Sequence, residues 1–186
     1  MAEETGLPPN HRYITTHTSN GASVFLDSIP ADVPTQPIRE DVNFQLMYTT
    51  SEFPTDMNGD ADVKRYQQFL QGEKPGLTIK RGSVLRVVNF APDLNGEAAI
   101  MHRTVSIDYG IVVAGEIEAS LDSGQKRLLS PGDIVIQRGT NHSWRNASTI
   151  KWARMVFVLQ DALPIQISST TLGEDYGGIP NVQPSS

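Results

Sequence analysis

Hydrophobic and polar positions alternate with a period of two along most of the chain, in runs of four to nine residues. Such alternation marks strands with one buried face. Arg12–Thr18 and Ala22–Leu26 are β-rich, and Asn20-Gly21 between them is a strong hairpin signal. Ser28–Glu40 carries Pro30, Pro34 and Pro37 and reads as a loop, followed by a strand over Phe44–Thr50. Only Asp60–Gln71 has helical periodicity. Val63, Tyr66, Phe69 and Leu70 fall on one face, and Gly72 is the stop. From Leu77 the pattern becomes short strands and turns. Strands are expected at Leu77–Lys80, Ser83–Phe90, Ala98–Ser106, Gly110–Val113, Glu116–Leu121, Gln125–Leu129, Asp133–Gln137, His142–Asn146 and Lys151–Leu159. Gly- and Pro-containing turns such as Ser130-Pro131-Gly132-Asp133 separate them. Many short, evenly spaced strands predict an all-β barrel or sandwich.

The expected organisation is a loose tail over 1–10 and a hairpin, strand and short helix over 11–72. A barrel over 73–165 and a Gly/Pro/Ser-rich C-terminal tail over 166–186 follow. The 11–72 segment is expected to pack on the barrel or on a partner subunit. The chain has 186 residues, enough for one sizeable core.

Composition narrows the partners. The net charge is −6, which argues against nucleic acid or an anionic membrane as the main partner. There is no cysteine, so disulfides, thiolate zinc sites and cysteine nucleophiles are excluded. No signal peptide or apolar membrane-length run is found, so a cytoplasmic setting is expected. Asn146-Ala147-Ser148 matches a glycosylation sequon and reads as a chance match.

The candidate chemistry starts at His102. Along one strand His102, Thr104, Ser106 and Asp108 would share a face, opposite Arg103, Val105, Ile107 and Tyr109. A row of short polar groups on one face suits the wall of a polar cavity. His142 follows a sharp Gly139-containing turn and shares its face with Trp144. Phe90, Val112, Val135, Trp144 and Trp152 are available as apolar walls. Arg86 and Arg154 sit inside strand patterns. A buried arginine there needs an anionic partner, such as a substrate carboxylate or phenolate. The alternative is an edge-strand arginine in solvent. Asp108 has its own alternatives, as a turn residue or as a hydrogen-bond partner of His102.

The spacing then resembles a known family. Gly96, five residues, His102, one residue, Thr104, three residues, Asp108, six residues, Gly115 is similar to the first motif of the cupins. The second motif is matched by Gly132, Gly139, His142 and Asn146. The family's first motif normally carries a second His where Thr104 stands and a Glu where Asp108 stands. The stretch Gln137-Arg138-Gly139 is one residue shorter than usual and lacks the family's Pro. The resemblance covers roughly 77–159 and implies a jelly-roll barrel with N-terminal extra strands.

It also implies a metal site of His102, Asp108 and His142. Thr104 is a poor ligand, because its hydroxyl stays protonated. A two-His, one-carboxylate set suits Fe(II), with Mn(II) or Zn(II) as alternatives. A metal-free site, with the histidines as general acid or base, is the other reading. The string from MHRTVSIDYG to NHSWRN is similar to small cupins of fungal polyketide and benzaldehyde-type clusters, commonly labelled oxidoreductases. The implied activity is oxidation of a small aromatic or polyketide-type molecule. A non-redox lyase, decarboxylase, dehydratase or isomerase, or a non-catalytic metabolite binder, are the alternatives. His102, Asp108 and His142 are the expected catalytic residues. Thr104, Ser106, Arg86, Trp144 and Arg154 are the expected substrate contacts, and a homodimer is the expected assembly.

Overall fold

A computed structural model describes residues 5–72, 74–94, 96 and 99–185. Its strands form two sheets that face each other, flanked by two small hairpins. The larger sheet has the order β3-β4-β5-β11-β6-β9. These are β3 (Gln36–Arg39), β4 (Val42–Thr50), β5 (Ser83–Phe90), β11 (Ala153–Asp161), β6 (Ser106–Ala114) and β9 (Ile134–Arg138). The smaller sheet is β10 (His142–Asn146), β7 (Ile117–Leu121) and β8 (Lys126–Leu129), in that order. All pairings are antiparallel. This is the expected all-β jelly-roll barrel.

Strict alternation decides which side chains enter the barrel. Val84, Val88 and Phe90 on β5 and Met155, Phe157 and Leu159 on β11 join one buried cluster with Leu77, Ile79, Val112 and Ile117. Arg86 occupies the same face of β5 as Val84 and Val88, and pairs in register with Phe157. Val87 on the opposite face packs with Val33 and Met47 outside the barrel. Gly115 ends β6 at φ +70, where a Cβ would meet the Ala153 Cβ at 2.7 Å. Both the left-handed backbone and the close approach require glycine at this motif position.

The expected hairpin forms from β1 (Thr15–His17) and β2 (Ser23–Phe25) around Gly21. Helix α1 (Ala61–Gln71) is likewise where its periodicity predicted. Val63 and Tyr66 pack with Ile29, and Phe69 joins the barrel cluster, while Leu70 faces outward. Tyr66 donates to the Leu46 carbonyl of β4 at 2.8 Å.

Four stretches differ from expectation. Gln36–Arg39 is strand β3 and not loop. Pro37 is tolerated because β3 is the sheet edge, where a missing N–H breaks no ladder. Leu77–Ile79 is buried and Lys80 is exposed, but the stretch forms no strand, and the chain reverses at Arg81 with φ +60. In the expected strand over 98–106, Ala98 lies outside the described residues, as do residues 1–4 of the expected tail. The rest of that strand is broken. His102 bridges to His142 of the smaller sheet, the chain bends at Val105, and β6 begins at Ser106 in the larger sheet. The chain is changing sheets here, so no single strand can run through.

The C-terminal segment is also more than a tail. It contains hairpin β12 (Ile165–Ile167) and β13 (Thr170–Leu172), then returns along the barrel. Asp175 exchanges two main-chain hydrogen bonds with Arg103, and Arg103 Nε donates to the Gly173 carbonyl at 2.8 Å. Tyr176 and Val182 pack on the barrel cluster. Among the described residues no helix is long and apolar enough to cross a membrane.

Asn146 ties the end of β10 to its surroundings. Its Nδ2 donates to the carbonyls of Phe90, Ala91 and Lys151, and its Oδ1 accepts from Ser148 N–H. The residue is 3% exposed, so the sequon is sterically closed in the folded chain. Asn146→Ala leaves buried carbonyls without donors and should lower stability by about 2–4 kcal/mol. Urea unfolding followed by tryptophan fluorescence measures it, and a loss under 1 kcal/mol contradicts the bonding described.

Candidate active site

The site begins with one cross-strand pair. His102 N–H donates to the His142 carbonyl at 2.8 Å, and His142 N–H returns to the His102 carbonyl at 2.9 Å. Directly opposed residues project side chains the same way. The two imidazoles therefore stand together in the barrel, with ring centroids 4.3 Å apart. Trp144, two residues along β10, packs edge-on to His142 at 5.3 Å, and Phe157 continues the aromatic wall at 5.5 Å from Trp144.

Hydrogen bonds fix both rings through Nδ1. His102 Nδ1 lies 3.0 Å from the Ile100 carbonyl, so it carries the proton and leaves a lone pair on Nε2. His142 Nδ1 lies 2.6 Å from Gln137 Nε2 and 2.9 Å from the Thr140 carbonyl. Thr140 fixes the Gln137 amide, because its N–H (3.3 Å) and its hydroxyl both donate to Oε1. Gln137 Nε2 also donates to the Thr140 carbonyl at 2.8 Å. His142 Nδ1 is fixed in position between this amide and the Thr140 carbonyl. Burial pushes both imidazoles below the usual histidine range. The neighbouring His102 depresses His142 further, to about 3, against a small opposing effect of the Thr140 carbonyl. Both rings are neutral at pH 7.

Asp108 stands on the other sheet. Ser106 donates to its Oδ1 at 2.5 Å, and Thr104 donates to its Oδ2 at 3.3 Å. Ser106 Oγ also lies 2.7 Å from Thr104 Oγ1. Burial raises the Asp108 carboxyl to about 6, with the two hydroxyls opposing the rise.

A cavity of ≈ 100 Å³ collects these groups. His102, His142, Thr104, Asp108, Trp144 and Arg86 line it, with Phe44, Phe157 and Leu159 among its apolar walls. It shares Arg39, Phe90, Ala99 and Trp144 with an outer cleft, which marks the way in. Of the expected substrate contacts, Ser106 stands behind Asp108 and does not line the cavity. Arg154 projects from the opposite face of β11, where it bonds Asn89, Asn10 and the Pro8 carbonyl. The reason is strand parity: Met155 and Phe157 face inward, so Arg154 cannot. Trp152 also lines only outer clefts. Gln137, which contacts His142 Nδ1 at 2.6 Å, was not singled out from the sequence. Its signal was a polar residue at a buried position of β9, two residues before Gly139.

The expected metal set can be tested on these contacts. Among the described residues no three His, Asp or Glu side chains converge as a metal-binding group. Both imidazoles are anchored through Nδ1, which leaves Nε2 of each as the nitrogen a metal would meet, while both Asp108 oxygens accept hydroxyl hydrogen bonds. In this arrangement the three expected ligands do not come together as a metal-binding group.

The raised carboxyl yields a pH prediction. Between pH 3.8 and about 6 the folded chain holds an Asp108 proton that the unfolded chain has released. The stabilisation is present at the acid end and lost as pH rises through 6. Asp108→Asn removes this loss. Its stability relative to the parent should improve by about 2 kcal/mol on going from pH 4 to pH 7. Urea unfolding at both pH values measures the difference, and an unchanged difference contradicts a raised pKa.

No family model matches the chain. It is 45% identical over 184 residues to phomopsin biosynthesis cluster protein C' of Diaporthe leptostromiformis, covering 98% of this chain and 95% of that protein. It is 37% identical over 183 residues to the cupin-domain-containing oxidoreductase fogC of Aspergillus ruber, covering 93% and 86%. Among solved structures it is similar to an RmlC-like cupin from Shewanella frigidimarina, at 13% identity and a TM-score of 0.45, over 73% of this chain and 89% of that one.

Proposed function

Because the chain belongs to the cupin-domain proteins of fungal biosynthetic clusters, we propose that it is an enzyme of specialised metabolism that moves protons on a small, largely apolar substrate. The observation that carries this is the pair of neighbouring neutral imidazoles facing one cavity. His102 Nε2 offers a lone pair, because its Nδ1 carries the proton. That ring takes a proton from a carbon or hydroxyl, and the imidazolium so formed delivers it to another substrate atom beside His142. No ring has to change charge before substrate binds. The walls exclude water, which strengthens each polar contact inside. Asp108, ionised at pH 7, stabilises positive charge developing on the nearby pocket. This chemistry is that of an isomerase or dehydratase acting on an aromatic or polyketide-type molecule.

A cavity of ≈ 100 Å³ is smaller than the roughly 150 Å³ that holds a benzene ring. The substrate is therefore small, or extends through the mouth past Arg39 and Trp144. Few polar groups line the walls, so a sugar, which needs many hydrogen-bond partners, fits poorly.

Deleting the gene in its source organism identifies the metabolite that accumulates. Purified protein should convert it without dioxygen and in the presence of a chelator. His102→Ala and His142→Ala should each reduce turnover about 10²–10⁴-fold. The oxidoreductase name of the relatives, and the expected Fe(II), Mn(II) or Zn(II), define the opposite result. Turnover that stops without oxygen or on chelation overturns the proposal.

We also propose a homodimer. Tyr13 and Phe25 of the β1-β2 hairpin expose adjacent aromatic rings, 71% and 67% accessible. A partner's sheet would cover them. Light scattering at micromolar concentration should give twice the chain mass, and Tyr13→Ser with Phe25→Ser should shift it toward one.

A further inference from the structure

Arg86 is 6% exposed and lies on the inner face of β5, inside the barrel. Buried arginines elsewhere in the chain have more acceptors. Arg12 reaches the Tyr66 hydroxyl and the carbonyls of Leu46, Met47 and Pro30, although its Nε–H, like that of Arg86, has no partner. Arg154 reaches Asn89, Asn10 and the Pro8 carbonyl. Arg86 makes one hydrogen bond, from an NH2 group to the Gly76 carbonyl at 3.0 Å. Its Nε–H is buried with no partner. Among the described residues no carboxylate pairs with it. The Phe44 ring flanks the guanidinium at 4.7 Å, and the Tyr176 hydroxyl is the one titratable group that influences it. The same guanidinium lines the cavity that holds His102 and His142.

A buried cation with free donors is costly to keep, and folding alone does not reward it. Hydrophobic side chains fill the neighbouring positions on the same strand face, so a Met or Leu would pack there. The free edge of a guanidinium is a planar fork of N–H donors, matched in geometry by a carboxylate. We propose that Arg86 binds the carboxylate of the substrate, so that the substrate is an apolar or aromatic carboxylic acid held with its carboxylate on Arg86 and its reacting atoms at the histidine pair. This rests on the reading of the cavity as the substrate site and adds the class of molecule. Phe44 and Phe157 flank the anchor and exclude water from the ion pair, and the neutral imidazoles offer no competing positive charge. Trp144 lines the same cavity and reports its occupancy.

The test measures binding, without turnover. Acetate, hexanoate and benzoate are titrated into a Trp152→Phe protein, in which Trp144 is the remaining tryptophan, with benzamide as the uncharged control. Benzoate should quench Trp144 and raise the melting temperature, and benzamide should bind at least about tenfold more weakly, as expected for loss of a charge-assisted hydrogen bond. Arg86→Met should lose the discrimination between the two while melting no lower than the parent in anion-free buffer. Arg86→Gln, which keeps an amide donor for Gly76, carries the comparison if the Met variant does not fold. His142→Ala should still bind benzoate, so a failed acid/base reading and a failed anion site give different results. The proposal is overturned if none of the three carboxylates binds, if benzamide binds as well as benzoate, or if the Arg86 variants bind benzoate like the parent.

Discussion

Two main-chain hydrogen bonds between His102 and His142 hold the site together. They attach the segment that precedes β6 to the free edge of β10, and so link the larger sheet to the smaller one. Once that link forms, the imidazoles have no choice of neighbour. The same link forces the bend at Val105, because the chain must leave the smaller sheet before it can enter the larger as Ser106. Asp108 is thereby carried to the far sheet and takes its hydrogen bonds from Ser106 and Thr104. The division of the polar groups into a histidine pair and a hydroxyl-bound carboxyl follows from that change of sheet.

Burial then decides charge. Inside the apolar barrel each titratable group is pushed toward its neutral form. The histidines fall and the Asp108 carboxyl rises. Arg86 is also pushed down, to about 10, which still leaves it charged at neutral pH. At neutral pH the cavity therefore holds the Arg86 cation and the Asp108 carboxylate, and among the described residues these two form no ion pair with each other.

Much of this was readable from the residues. The two histidines and the glycines around them are recognisable by spacing, because each glycine sits where the backbone needs a positive φ or a close approach. The inner face of β5 and β11 follows from alternation. Alternation also brought His102, Thr104 and Asp108 to the cavity, with Ser106 buried behind Asp108, although the single strand it implied is broken at Val105. The same rule, applied to β11 with the known inward Met155, puts Arg154 outside. Its face could not be assigned from the sequence because Trp152, Val156 and Val158 offered an equally apolar stripe. The partners of His142 were hidden for another reason. Gln137 and Thr140 meet His142 through the hydrogen bonds of a turn, which carries no periodicity to read. The role of the C-terminal segment had no periodicity to reveal it.

That segment has a consequence for how the protein is made. Ile179 is part of the cavity wall, and Ser185 bonds to Thr78, a residue 107 positions earlier. Asn181 also donates to the Ile38 carbonyl of β3. The strands can pair as they leave the ribosome, but the pocket stays without one wall until residues 173–185 have been synthesised and have folded back. Ligand recognition therefore depends on a segment remote in sequence from the strands that carry the histidines.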